Sequence, residues 1–225
     1  MLYVVATPIG NLEDISLRAL RILEEVDLIL CEDTRVTKKL LFAYNISKPL
    51  LSYHQHSNLS KSKDILENLK AGKKIALVSD SGTPGISDPG AKLIDYLTKQ
   101  LSDLKVVSVP GPSAVIAALT VSGLPADKFI FLGFPPNKKK RKKFFEEVVD
   151  YKHTVVFYES PHRIFKTLEE LKWVLIQHEK TEETKIVVCR ELTKKFETIY
   201  RGGIEGVINQ LKTDTVKGEF VVVLN

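Results

Sequence analysis

Short apolar runs alternate along this chain with stretches whose apolar residues recur every three or four positions. Leu2–Thr7 reads as a strand, and Ser16–Glu25 as a helix with Leu17, Leu20 and Leu23 on one face. Leu28–Cys31 is a strand and Val36–Tyr44 a helix. Leu50–Tyr53 is a strand, and a helix runs from about Leu59 until Gly72 supplies a C-cap. Lys74–Ser79 and Lys105–Val109 are strands on either side of a helix at Pro89–Leu101. Strand and helix in strict alternation predict a mostly parallel sheet covered by helices.

Pro110-Gly111-Pro112 interrupts the pattern, and a second unit follows. Its expected helices are Ser113–Val121, Lys138 to about Asp150, Pro161–Ile176 and Ile204–Leu211. Its expected strands are Phe129–Phe134, Thr154–Tyr158, Ile186–Arg190, Thr198–Arg201 and Phe220–Leu224. Late strands crowd together with little helix between them, which predicts a mixed sheet. The expected fold class is α/β, with domains at 1–113 and 114–225.

One strand leads into a loop of unusual composition. Ile75–Ser79 is followed by Asp80-Ser81-Gly82-Thr83-Pro84-Gly85-Ile86-Ser87-Asp88-Pro89-Gly90, with three glycines and two prolines. Glycine lacks a Cβ, so a ligand can lie against such a backbone. Asp88 and Pro89 read as the N-cap and first residue of the next helix. A strand, a glycine-rich loop and a helix set a binding surface at the carboxyl end of a strand. Neither a Walker lysine nor Gly-x-Gly-x-x-Gly is present, so the ligand is not expected to be held by phosphates. An ordinary tight turn is the bland alternative. Thr7–Asn11, Glu32–Arg35 and Pro110–Ser113 also follow first-half strands, so four loops are expected on one sheet edge.

The 225 residues carry a net charge of +5, which is modest, but Lys138, Lys139, Lys140, Arg141, Lys142 and Lys143 are consecutive. Such a run suits phosphates of nucleic acid or an acidic surface, or is only a solvated face. The two cysteines form no Cys-x-x-Cys, which favours a reducing compartment over a zinc site. His54 and His56 alternate beyond a strand without a third ligand, so no metal is expected. No signal peptide or membrane-length apolar run is visible, and a cytoplasmic location is expected.

Several segments, in order along nearly the whole chain, carry a specific resemblance. They are Ala6–Leu12, Cys31–Arg35, Val78–Gly90, Val109–Ala114, Phe157–Arg163 and Arg190–Lys194. The chain resembles the tetrapyrrole methylase superfamily of S-adenosylmethionine-dependent enzymes. Within it, the resemblance is to the branch that methylates the ribose 2′-hydroxyl of a cytidine in small-subunit ribosomal RNA. Corrin and porphyrin members carry a Gly-Pro-Gly-Asp type first loop, where this chain has Pro8-Ile9-Gly10-Asn11. Ser81 replaces the alanine of many relatives.

The resemblance implies S-adenosylmethionine in a cleft between two domains, a homodimer, and a ribosomal RNA or small-subunit substrate. It implies cofactor contacts from Pro8, Asp80, Gly82, Thr83, Pro84, Ile86, Ser113, Ala114 and Tyr158. A ribose hydroxyl is a poor nucleophile, so a base or orienting acceptor is expected. Asp33, Glu32 and Glu159 are candidates, with helix capping as the competing role. Arg35 is the candidate partner of Asp33 in catalysis, holding an adjacent phosphate. Lys138, Lys139, Lys140, Arg141, Arg163 and Arg190 are the candidate RNA contacts, although arginines also pair with nearby carboxylates. His162 is a weaker candidate base. Two rivals stay open: a tetrapyrrole methyltransferase using the same loop, and a non-catalytic RNA-binding module.

Overall fold

The computed structural model describes residues 1–54, 59–88 and 90–225. Two compact units divide the chain, Met1–Ser113 and Ala114–Asn225.

The first unit holds strands β1 (Leu2–Val5), β2 (Leu28–Cys31), β3 (Leu50–Ser52), β4 (Ile75–Leu77) and β5 (Val106–Val109). They form a wholly parallel sheet in the order β3-β2-β4-β1-β5. Its helices are α1 (Leu17–Glu25), α2 (Thr34–Ala43), α3 (Leu59–Lys70) and α4 (Ala91–Gln100). Side chains alternate across a strand, so each short apolar run feeds two cores. Ile29, Cys31 and Ala76 join Ile22, Leu23 and Leu41 beneath α1 and α2. Leu30, Ile75 and Leu77 join Ile65, Leu69, Leu93 and Leu97 beneath α3 and α4. With both faces covered, function is confined to the strand ends. All carboxyl ends share one edge, as the alternating pattern implies.

The second unit opens with α5 (Ala114–Ser122) and β6 (Phe129–Phe131), followed by α6 (Arg141–Asp150), β7 (Thr154–Glu159) and α7 (Ile164–Gln177). It continues through β8 (Ile186–Arg190), β9 (Thr198–Gly202), α8 (Ile204–Lys212) and β10 (Phe220–Leu224). The strand order is β6-β7-β10-β8-β9; β6 and β7 are parallel and the other pairs antiparallel. The sheet is therefore mixed. Phe157, Val188, Phe220 and Val222 pack against Phe145, Leu168, Leu171 and Val207 from α6, α7 and α8. Helix α5 packs on β10.

Two local expectations are corrected. The basic run is not helical throughout: α6 begins at Arg141, and Lys138–Lys140 stay in the preceding loop, with Lys140 left-handed at φ 70°. Asp88 does not cap α4, whose N-cap is Gly90 without a side-chain hydrogen bond. Pro89, read as the first helical residue, lies outside the described residues, as does His56.

Candidate functional site

Hydrogen bonds sew three loops of the first unit together beyond the strand ends. Thr7 and Gly82 exchange backbone bonds of 2.9 and 3.1 Å, an isolated antiparallel bridge. The buried Thr7 hydroxyl donates to the Ser79 carbonyl at 3.2 Å. Ser79 Oγ donates to the Ser81 and Gly82 carbonyls, and Thr83 Oγ1 to the Pro112 carbonyl at 3.0 Å. Gly82 has φ +80°, and a Cβ on it would lie 3.3 Å from Ile9 Cγ2. A Cβ on Gly111 would lie 3.0 Å from the Ala6 Cβ. These glycines let the loops pack on one another, a role distinct from the ligand approach that composition alone suggests.

Of the expected cofactor contacts, Pro8, Asp80, Gly82, Thr83, Pro84, Ile86 and Ser113 belong to this sewn edge. Gly82 and Pro84 are buried, whereas Asp80 is exposed and Ile86 is 46% exposed. Ala114 opens α5, and Tyr158 lies on β7 in the second unit, its ring against Phe131 and Phe134.

The same edge is acidic. Glu32 directly follows β2, and Asp80 and Asp88 belong to the glycine-rich loop. Glu32, Tyr53, Ser79, Pro84 and Asp88 line a void of about 10 Å³, room for one water and for no organic ligand. Burial, then the Glu32 charge, pushes the Asp88 carboxyl up to about 6; Asp80 adds to this and a Ser79 hydrogen bond opposes it. Burial and Asp80 raise Glu32 as well, against an opposing pull from His54. Sequence reading missed Asp88 as a titrating group because Asp-Pro after a loop matches a helix cap.

Asp33 behaves as the cap it resembles. Its carboxylate accepts from the Arg35 backbone N–H at 2.8 Å and heads α2. It also takes the Arg35 guanidinium in a fork, with Nη2 to Oδ2 at 2.6 Å. The Arg35 hydrogen bonds hold Asp33 down to about 2, which makes it a weak proton acceptor. The Asp33 backbone N–H donates to Asp80 Oδ1 at 2.9 Å, tying the two loops. The Arg35 side chain is 86% exposed.

In the second unit, four expected ligand or catalytic groups are used internally. The Glu159 side chain is fully buried. It accepts from the Ser160 N–H at 2.7 Å and the Thr167 hydroxyl at 2.6 Å, and pairs with Arg163 at 2.8 Å. Arg141 is only 5% exposed and is bound to Glu170, Thr167 Oγ1 and the Pro136 carbonyl. Arg163 also donates to the Pro135 carbonyl and to Asn137 Oδ1. Arg190 is buried against the Lys217 carbonyl and Asp214. Arg141 and Arg190 thus depart from the expected exposed RNA contacts, and Glu159 from a catalytic carboxylate open to substrate. Lys138, Lys139, Lys140, Lys142 and Lys143 remain exposed, as does His162. Among the described residues, no cluster of His, Cys, Asp and Glu could hold a metal ion, and no helix is long and apolar enough to cross a membrane.

An open parallel sheet with sewn, glycine-bearing loops on its carboxyl edge, followed in the chain by a unit with a mixed sheet, defines a two-unit α/β architecture. Its relatives narrow that class. The chain belongs to the tetrapyrrole (corrin/porphyrin) methylase family, whose model matches residues 1–207. It is 44% identical to the ribosomal RNA small subunit methyltransferase I of Halalkalibacterium halodurans, over 99% of this chain and 75% of that one. The protein of the same name from Bacillus subtilis is 46% identical over 100% of this chain and 74% of its own length. That from Thermotoga maritima is 43% identical, with 100% and 97% covered. Among solved structures, cobalt precorrin-4 methyltransferase, a cobalamin biosynthetic enzyme, matches with a TM-score of 0.70 at 20% identity, covering 100% of this chain and 94% of that one. That likeness supports the fold.

Proposed function

We propose that this chain transfers a methyl group from S-adenosylmethionine to the ribose 2′-hydroxyl of a cytidine in small-subunit ribosomal RNA. The observation that carries this reading is the similarity, over 99 to 100% of this chain, to proteins named ribosomal RNA small subunit methyltransferase I. The exposed lysines around residue 140 favour it over a tetrapyrrole substrate, a small polycarboxylate that needs no such row. The sewn loop edge favours an enzyme over a bare RNA-binding module, which has no use for it. Tritium-methyl transfer onto small ribosomal subunits lacking the mark, followed by nucleoside mapping, tests the reading. Label in a base, or no label in RNA, overturns it.

The acidic edge fits the cofactor. S-adenosylmethionine carries a sulfonium, an ammonium and a carboxylate, is cationic overall, and has no phosphate. Residues 78–90 contain Asp80 and Asp88 and no Lys or Arg. When bound, the cofactor supplies an electrophilic methyl group. The protein aligns the hydroxyl with it and excludes water. Pro8, Thr83, Ile86, Ser113, Ala114 and Tyr158 are proposed to hold the cofactor, and Arg35 to hold an RNA phosphate. The Asp33 carboxylate fixes the Arg35 fork. Of the three carboxylates considered as proton acceptor, Glu159 is enclosed and Asp33 too acidic, which leaves Glu32.

This electrostatic fit has a pH signature. Asp88 shares the void with Glu32 and feels the Asp80 charge, with His54 acting on Glu32 from the β3 side. A cationic ligand binds the ionised Asp88 more tightly, so affinity rises as pH rises from about 5 to about 7, by roughly tenfold. The unbound chain moves the other way. Asp88 rises from 3.8 to about 6 on folding, so stability is lost across that interval as pH increases. Asp88→Asn is expected to weaken both dependences, leaving the part due to Glu32. Calorimetry across this range checks the first, and an unchanged affinity refutes it.

A homodimer is proposed with the same reading, on the resemblance alone. Light scattering is expected to give twice the 25.3 kDa chain mass, and a monomer mass at micromolar concentration refutes it.

A further inference from the structure

Glu159, Arg141 and Arg163 of the second unit converge on one loop. Leading from β6 into α6, it runs Gly133-Phe134-Pro135-Pro136-Asn137-Lys138-Lys139-Lys140. Its start is pinned to β7, with Leu132 N–H on the Val156 carbonyl at 3.0 Å and Tyr158 N–H on the Gly133 carbonyl at 2.8 Å. Its middle is held from inside. Arg163 Nη1 donates to the Pro135 carbonyl at 3.1 Å and to Asn137 Oδ1, and Arg141 Nη1 donates to the Pro136 carbonyl at 2.9 Å. Glu159 fixes both arginines, directly at 2.8 Å for Arg163 and through Thr167 for Arg141.

Withdrawing the Arg141 guanidinium fully and the Arg163 guanidinium largely from water is costly, and here they order an exposed loop. The loop displays an aromatic ring beside a row of cations. Phe134 is 53% exposed, and its ring leans on Tyr158 at 5.4 Å, which in turn packs on Phe131 at 4.9 Å. Lys138, Lys139 and Lys140 follow within six residues and are exposed, and no acid occurs between Phe134 and Lys143. A backed aromatic face next to a row of ammonium groups, fixed in advance of any ligand, matches single-stranded RNA. A base stacks on the ring while the adjoining phosphates meet the lysines. Preorganisation lowers the entropy lost on binding.

We infer that the 133–140 loop is an RNA-binding element in which Phe134 stacks a base of the substrate strand, with Glu159, Arg141 and Arg163 as its internal clamp. This rests on the RNA reading above and adds the residue that contacts a base.

The test uses a short single-stranded RNA carrying 2-aminopurine. The wild type is expected to quench its fluorescence. Phe134→Ala is expected to lose the quench and about tenfold or more in affinity, and Phe134→Tyr to keep both. Replacing Lys138, Lys139 and Lys140 by Gln is expected to flatten the salt dependence by about 0.7 log units for each phosphate no longer neutralised. Circular dichroism spectra and urea unfolding midpoints of all variants are expected to match the wild type and serve as the folding control. Unchanged RNA affinity and quench in Phe134→Ala overturn the inference. So does a Phe134-dependent affinity for phosphatidylserine vesicles with RNA binding unmoved. Methyl transfer onto unmethylated small subunits separates the two claims. A wild type that transfers methyl groups while Phe134→Ala keeps its RNA affinity leaves the activity standing without the loop. A wild type that transfers none while Phe134→Ala loses RNA affinity does the reverse.

Discussion

Glu32→Gln is expected to lower methyl transfer by about 10²-fold or more, the scale on which a positioned proton acceptor contributes. The fold and the affinity for S-adenosylmethionine are expected to stay near wild type, because Glu32 is only partly buried and Gln fills nearly the same volume. Its carboxyl is raised by burial and by Asp80, which moves it toward the working range of a base, whereas the Arg35 fork takes Asp33 away from that range. Asp33→Asn is the contrast. Asn is a comparably good cap, so the helix survives, and the loss falls on the fork that holds Arg35. A raised KM for RNA with kcat nearly unchanged is therefore expected for Asp33→Asn, against a lowered kcat for Glu32→Gln. Single-turnover rates near normal for Glu32→Gln remove it as the acceptor.

The largest stability effect is expected at Glu159. Truncation to Ala leaves Arg163 and the Thr167 hydroxyl facing an empty, buried site. Breaking a buried ion pair from one side costs about 3–5 kcal/mol. Glu159→Gln keeps the shape and an acceptor oxygen and is expected to lose clearly less. Urea unfolding of the three proteins measures this. A Glu159→Ala protein within about 1 kcal/mol of wild type, the ordinary scale of a point mutation, contradicts the clamp.

The strands Leu28–Cys31, Ile186–Arg190 and Phe220–Leu224 stand at their expected bounds, because a short apolar run between turns has few other solutions. The sewn loops were recognisable as a group, since composition marks them one by one and parallel topology gathers them. Burial of charge was not recognisable. Arg141 sits inside a row of lysines, and only its turn on α6 sends it inward to Glu170 and Thr167, some 26 to 29 positions away. Arg190 ends a fully buried strand, so its side chain meets Asp214 instead of solvent. Phe134 looked like the end of a strand because hydrophobicity alone does not say that β6 stops at Phe131.

The strand order also dictates when each unit can be completed during synthesis. The first sheet has all its members once Val109 has been made. In the second, the central position between β7 and β8 belongs to β10, which follows the other four strands of that sheet in sequence. Until Phe220–Leu224 emerges from the ribosome, β6–β7 and β8–β9 are two separate ribbons with facing open edges. Such edges are templates for wrong pairing. The nascent chain therefore passes through a stage in which its first half is finished and its second half is held apart by one missing strand.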